Sequence, residues 1–151
     1  MKILIWGRRA GKTTECIKTL RQNPDACMFV LTTDHKHSLP KEVQARIFSY
    51  HSKAWRGRHY TKAIFDEPDA GYIDDKLLEE LTQCFEVILV ATSLDKSYDD
   101  PCTWLRKQIK LHGYDHKVSP DSDKSKPHIS ERAIRRYETE YLAKFKEKVK
   151  K

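Results

Sequence analysis

The chain has 151 residues, 34% charged and 38% hydrophobic, with a net charge of +7, which suits one soluble domain built on one core. No apolar run approaches the roughly 18 residues of a membrane span, and an apolar strand opening two residues after Met1 leaves no room for a signal peptide. Cys16, Cys27, Cys84 and Cys102 stand singly, which argues against a zinc ribbon and for reduced thiols in a cytoplasmic compartment.

In chain order, Ile3-Leu4-Ile5-Trp6 reads as a buried strand. A turn with a glycine at either end follows, Gly7-Arg8-Arg9-Ala10-Gly11, and then Lys12-Thr13-Thr14 opens a helix. Strand, glycine-bearing turn and helix in that order make a phosphate-binding loop. Its backbone N–H groups face phosphate oxygens, Lys12 reaches the β- and γ-phosphates, and the Thr13 hydroxyl binds Mg²⁺. The first glycine of the pattern GxxxxGK[ST] comes one position late, at Gly7, with Trp6 in its place. Arg8 and Arg9 lie inside the turn, where a guanidinium can neutralise transition-state charge in cis or can simply face solvent.

The spacing predicts a helix over 12–22 burying Cys16, Ile17 and Leu20, ended by Asn23-Pro24. Residues 27–32 read as a buried strand, 34–40 as a polar loop, 41–46 as a short helix and 47–51 as another strand. Arg56-Gly57-Arg58, after Trp55, either contacts nucleic acid or nucleotide or forms a plain basic turn. Ala63-Ile64-Phe65 then ends in Asp66-Glu67, the Walker B arrangement. Asp66 would hold the Mg²⁺ shell, and Glu67 would polarise the water that attacks the γ-phosphate. A helix over 73–85 follows, with Asp74 as N-cap and Ile73 stapled against Leu78. Its apolar side carries Leu77, Leu78, Leu81 and Cys84. Residues 87–91 are a fully apolar strand ending in Thr92-Ser93, where a hydroxyl, Ser93 in particular, either senses the γ-phosphate or caps the strand end.

A polar loop over 95–101 and a helix over 103–111 complete a nucleotide-binding core over residues 1–114. Residues 115–129, holding Pro120 and Pro127, read as a linker, and residues 130–151 as a basic amphipathic helix with Ser130 as N-cap. Residues 124–151 hold ten Lys/Arg against four Asp/Glu, so most of the excess charge sits in this tail. It suits a polyanionic partner such as DNA or RNA, or a solvated helix rich in Lys. The seven histidines offer no ligand pair at usable spacing and read as surface or core residues. Strands alternating with helices, several strands being apolar throughout, indicate an α/β fold with a mostly parallel sheet and helices on both faces.

GRRAGKTT at 7–14, WRGRHYTKAIFDE at 55–67, VILVATS at 87–93 and HISERAIRRYETEYLAKF at 128–145 together resemble the ATPase domain of phage and herpesvirus terminase large subunits, the motors that package viral DNA. The resemblance implies a P-loop NTPase fold, ATP and Mg²⁺ as cofactors, and double-stranded DNA as partner. It further implies a homo-oligomer and a separate nuclease or portal-type protein. GKTTE at 11–15, Asp66-Glu67 and VATSLDKSYDDP at 90–101 are also similar to type II thymidine kinases, in which Glu67 would deprotonate a nucleoside hydroxyl. A third possibility is an ATP-binding interaction subunit whose tail docks on a partner.

Overall fold

Each apolar run becomes a strand. The computed structural model describes residues 1–6, 10–68, 73–92 and 103–117. It contains β1 (Lys2–Trp6), β2 (Ala26–Val30), β3 (Ile47–Ser49), β4 (Lys62–Asp66), β5 (Glu86–Thr92) and β6 (Asp115–Lys117). They form one sheet in the order β3-β2-β4-β5-β1-β6, and every described neighbour pair is parallel. A parallel sheet with both faces covered needs apolar side chains on both, and β2 is buried at all five of its positions.

Alternation along the strands splits the core in two. On one face Leu4, Met28, Ile64 and Ala91 pack under Cys16, Ile17 and Leu20 of α1 (Lys12–Gln22) and under Val43 of a 3-10 helix (Lys41–Arg46). On the other, Ile3, Phe29, Phe65 and Val90 pack against Leu78 and Leu81 of α3 (Asp75–Cys84) and Trp104, Leu105 and Ile109 of α4 (Thr103–His112). The register between β4 and β5 slips at Ala63/Ile64, where β5 holds one extra residue, Ile88.

The distribution of connections follows from crossover handedness. The steps β1 to β2 and β2 to β3 move toward the β3 edge, with α1 and the 3-10 helix on one face. The steps β3 to β4, β4 to β5 and β5 to β6 move the opposite way. Tyr50, Trp55, α3 and α4, which serve them, sit on the opposite face. Reversing direction while switching face keeps all five crossovers of one hand.

Local chemistry fixes the helices. The Asp74 carboxylate caps α3 by accepting from the Leu77 N–H at 2.8 Å, and Ile73 is buried in the same cluster as Leu78, as the sequence predicts. Cys84, expected on the apolar side, is exposed near the helix end. Trp104 is fully buried and its indole N–H donates to Thr82 Oγ1 at 2.9 Å, while its main-chain N–H donates to Asp75 Oδ1 at 3.0 Å. Arg46 donates to the carbonyls of Leu20, Asn23 and Ala26, tying the C-terminal end of α1 to the start of β2 and the entry to β3.

Two segments differ from the sequence reading. The loop expected over 34–40 contains a short helix, α2 (Thr33–His37), started by Thr32, whose hydroxyl accepts from the His35 N–H at 3.1 Å. The stretch expected to be linker opens with β6, which pairs with the outer edge of β1. Asp-His-Lys carries no apolar signal, and this edge strand is held by its ladder and by the Trp6 indole N–H donating to Asp115 Oδ2 at 2.9 Å. The remainder of that linker and the helix expected over 130–151 lie outside the described residues. Among the described residues no helix is long and apolar enough to cross a membrane.

Candidate functional site

All six strands point the same way, so their C-terminal ends share one edge. Neighbouring strands β1 and β5 are followed by helices on opposite faces, α1 and α4, which opens a crevice between their C-terminal ends. Open parallel sheets bind ligands at such a place. The turn from β1 into α1 arrives here, as does the Asp66-Glu67 end of β4. Strand β5 lies between β1 and β4, separating them by two strand spacings, about 9–10 Å.

Gly11 ends the turn at φ +96°, a left-handed conformation that glycine adopts without cost, and it precedes the first residue of α1. No side chain caps this helix start, and the first intrahelical bond runs from the Glu15 N–H to the Gly11 carbonyl at 3.0 Å. A first turn without a side-chain cap suits an anion approaching the helix. Ala10 is buried, Thr13 half-buried and Thr14 exposed. Lys12 is only 9% exposed, and its Nζ lies 3.6 Å from Glu67 Oε1. Residues 55 positions apart in sequence thus meet at the sheet edge. Gly7, Arg8, Arg9 and Ser93 lie outside the described residues.

Asp66 is 4% exposed at the last position of β4. Its Oδ2 lies 3.1 Å from His35 Nε2, and its main-chain carbonyl accepts from the buried Tyr50 hydroxyl at 2.7 Å. Both contacts fix the end of the strand. The hydrogen bond to Asp66 raises the His35 pKa; burial opposes the rise, and the charges of Asp66 and Glu67 add to it. One turn into α1, the Cys16 thiol is pushed far up, first by burial and then by the Asp66 and Glu67 carboxylates. The two acids thus have Lys12 and His35 as neighbours, at 3.6 and 3.1 Å respectively from Glu67 and Asp66.

Glu67 carries the backbone's one positive φ at a non-glycine residue among those described, +50°, with its N–H donating to the Ala91 carbonyl at 2.7 Å. A side chain in the left-handed region costs about 1–2 kcal/mol, and such strain collects at functional positions. Here it turns the chain off the sheet immediately after β4 and sets the carboxylate beside Lys12. Thr92, at the end of β5 and paired in register with Ile5, is fully buried, and among the described residues its hydroxyl has no hydrogen-bond partner.

Sequence reasoning passed over His35 and Tyr50. His35 follows the C-terminal end of β2 by five residues and belongs to the same sheet edge as the acid pair. That adjacency became visible only once β2 was seen beside β4. Tyr50 looked like a strand residue, yet it lies one position past β3 and points its hydroxyl at the Asp66 carbonyl.

Among the described residues no group of three or more His, Cys, Asp or Glu side chains is arranged to hold a metal by itself. Mg²⁺ does not require one: it is usually held by one or two carboxylates together with substrate phosphates and water. A hydroxyl on the first turn of α1, Thr13, and the carboxylate of Asp66 fit that donor chemistry. In comparisons with known proteins, no family model and no curated sequence matches this chain.

Proposed function

We propose that this chain is a Mg²⁺-dependent P-loop ATPase that couples ATP hydrolysis to nucleic acid, in the manner of terminase-type translocation or packaging. The observation that carries the reading is the meeting of Lys12 and Glu67 at 3.6 Å, beside buried Asp66, at the carboxyl edge of an all-parallel sheet. In this reading Lys12 binds the β- and γ-phosphates from the first position of α1. Thr13 and Asp66 hold Mg²⁺, which when bound neutralises charge on the phosphates. Glu67 orients and deprotonates the attacking water, its direction set by the left-handed backbone beneath it. In the same reading Arg8 and Arg9 would supply positive charge from the turn, and the Ser93 hydroxyl would sense the terminal phosphate.

The test is ATP turnover with and without double-stranded DNA, run beside a thymidine phosphorylation assay. Lys12→Ala and Glu67→Gln should each lower turnover about a hundredfold or more, and Glu67→Gln should still bind ATP. Normal hydrolysis by Glu67→Gln would remove Glu67 from the role of base. Stimulation by DNA supports a motor, whereas labelled thymidine monophosphate would move the reading to a nucleoside kinase. Deleting residues 124–151 should weaken DNA binding and flatten its salt dependence if the basic tail contacts the polymer.

A further inference from the structure

On the face away from α1, a pocket of about 410 Å³ opens between the segment joining β3 to β4 and helix α3. Its volume lies within the range of small-molecule sites. Nothing in the phosphate-site reading uses it.

One wall is an aromatic platform. Trp55 is half-buried, its indole N–H donates to the Ser52 carbonyl at 3.0 Å, and its ring stands edgewise to Phe85 and Phe29 at 5.1 and 6.4 Å between centroids. Those contacts hold the ring still. The Arg56 guanidinium lies over it, 5.7 Å from its centroid, so a flat cation covers a flat aromatic at the pocket wall. Nucleobases stack on both kinds of surface.

The charges are sorted by wall. Residues 51–60 carry Lys53, Arg56 and Arg58 and no acid, and Lys53 and Arg56 line the pocket. The α3 wall supplies the Glu80 carboxylate and the Gln83 amide. A ligand matching both must present a planar π face, N–H donors along one edge and an anionic group elsewhere. An amino-bearing base with its phosphate has all three, and carboxylates accept from the cytosine amino group. Tyr50 also lines the pocket, so a seated base would touch the residue that bonds the Asp66 carbonyl.

We propose that this pocket binds a phosphate-bearing nucleotide through its base, which stacks on Trp55 and Arg56 with its amino edge toward Glu80 and Gln83 and its phosphate on Lys53. The nucleotide is either a free mononucleotide or one unit of a single strand. The assignment stands apart from ATP hydrolysis and survives if the phosphate-site reading fails.

The experiment titrates the full chain into fluorescein-labelled octadeoxycytidylate and octathymidylate, read by anisotropy, with cytidine monophosphate as competitor. Trp55→Leu should weaken octadeoxycytidylate binding about tenfold, the worth of one base stack. Arg56→Ala should weaken it through the lost stacking surface, and Lys53→Ala should weaken it and reduce the salt slope by about one. Glu80→Ala should erase the preference for octadeoxycytidylate over octathymidylate. Arg56 and Glu80 are exposed, so those two variants test the pocket without disturbing the core, and a melting curve of Trp55→Leu controls for its packing against Phe85. Displacement by millimolar cytidine monophosphate assigns a free nucleotide; binding that persists against it, yet weakens in the variants, assigns a strand. Lys12→Ala should bind the oligonucleotide as the parent chain does, even where ATP turnover is lost or was never present. Wild-type affinity and base preference in Trp55→Leu, Arg56→Ala and Glu80→Ala would overturn the proposal, as would the absence of binding by either probe.

Discussion

Replacing Glu67 by glycine and, separately, by alanine isolates the backbone strain at the end of β4. Both variants lose the same carboxylate and the same contact with Lys12, so the side-chain contribution cancels in their difference. What remains is the conformation at φ +50°. Alanine there bears the left-handed cost of about 1–2 kcal/mol, from which glycine is exempt. Glycine gives back about 0.5–1 kcal/mol through the larger entropy of its unfolded chain. The glycine variant should therefore be the more stable of the two by about 0.5–1 kcal/mol. At an ordinary position the order is reversed, alanine leading by about 0.4–1 kcal/mol. For a chain of this size the expected difference is a melting temperature about 1–4 °C higher for glycine. Circular dichroism melts and urea titrations of both variants measure it. Equal stability, or an alanine variant that melts higher, would refute the left-handed turn and with it the account of how Glu67 is aimed at Lys12. Neither variant should hydrolyse ATP in the proposed reading, so activity and stability separate cleanly.

Arg46→Ala should destabilise the fold by about 2–3 kcal/mol, because the partly buried carbonyls of Leu20, Asn23 and Ala26 lose a charged donor; chemical denaturation measures this, and a loss under 0.5 kcal/mol would show that water replaces the guanidinium. Thr92→Val replaces a buried hydroxyl, without a partner among the described residues, by a methyl group of similar shape and should raise stability by about 1 kcal/mol; a destabilised variant would mean that the hydroxyl is bonded in solution. His35 has a raised pKa in the folded protein, so its contribution to stability is full below about pH 6.5 and disappears as pH rises through the raised value. In metal-free buffer the stability gap between the parent chain and His35→Ala should accordingly be wider at pH 5.5 than at pH 9, and a gap independent of pH would break the link to Asp66.

The strands and α1 were legible because their signals are local. Ile3-Leu4-Ile5, Ala63-Ile64-Phe65 and the run from Val87 are apolar at nearly every position, and Cys16, Ile17 and Leu20 recur at helical spacing. Asp74 announced its helix because an N-cap bonds only to residues beside it. Lys12 was legible as a type at a helix start and Asp66-Glu67 as types at a strand end, and the parallel sheet brings them to one edge. Long-range pairing supplied the rest. β6 has no apolar pattern and exists because β1 offers it an edge. His35 acquires a role only from the adjacency of β2 and β4. The pocket beside Trp55 needs two segments that approach only in the fold, so Arg56 read in sequence as a basic turn or a contact with nucleic acid or nucleotide, without a partner wall.

The position of β1 bears on how the molecule is born. Its two neighbours are β5 and β6, so the strand that leads toward Gly11-Lys12 has no ladder partner until residues from 86 onward have been made. The ribosome needs roughly 4–16 s to add the intervening 80 or so residues at about 5–20 residues per second. During that interval β2, β3 and β4 can already pair with one another, because all three lie within residues 26–66. The half of the sheet bearing Asp66 can thus assemble before the half bearing Lys12 is seated. Closing β1 into the slot between β5 and β6 is then the event that creates the site. A nascent chain arrested before β5 should hold an acid pair with no lysine docked against it, and so, in the proposed reading, should not retain a nucleotide.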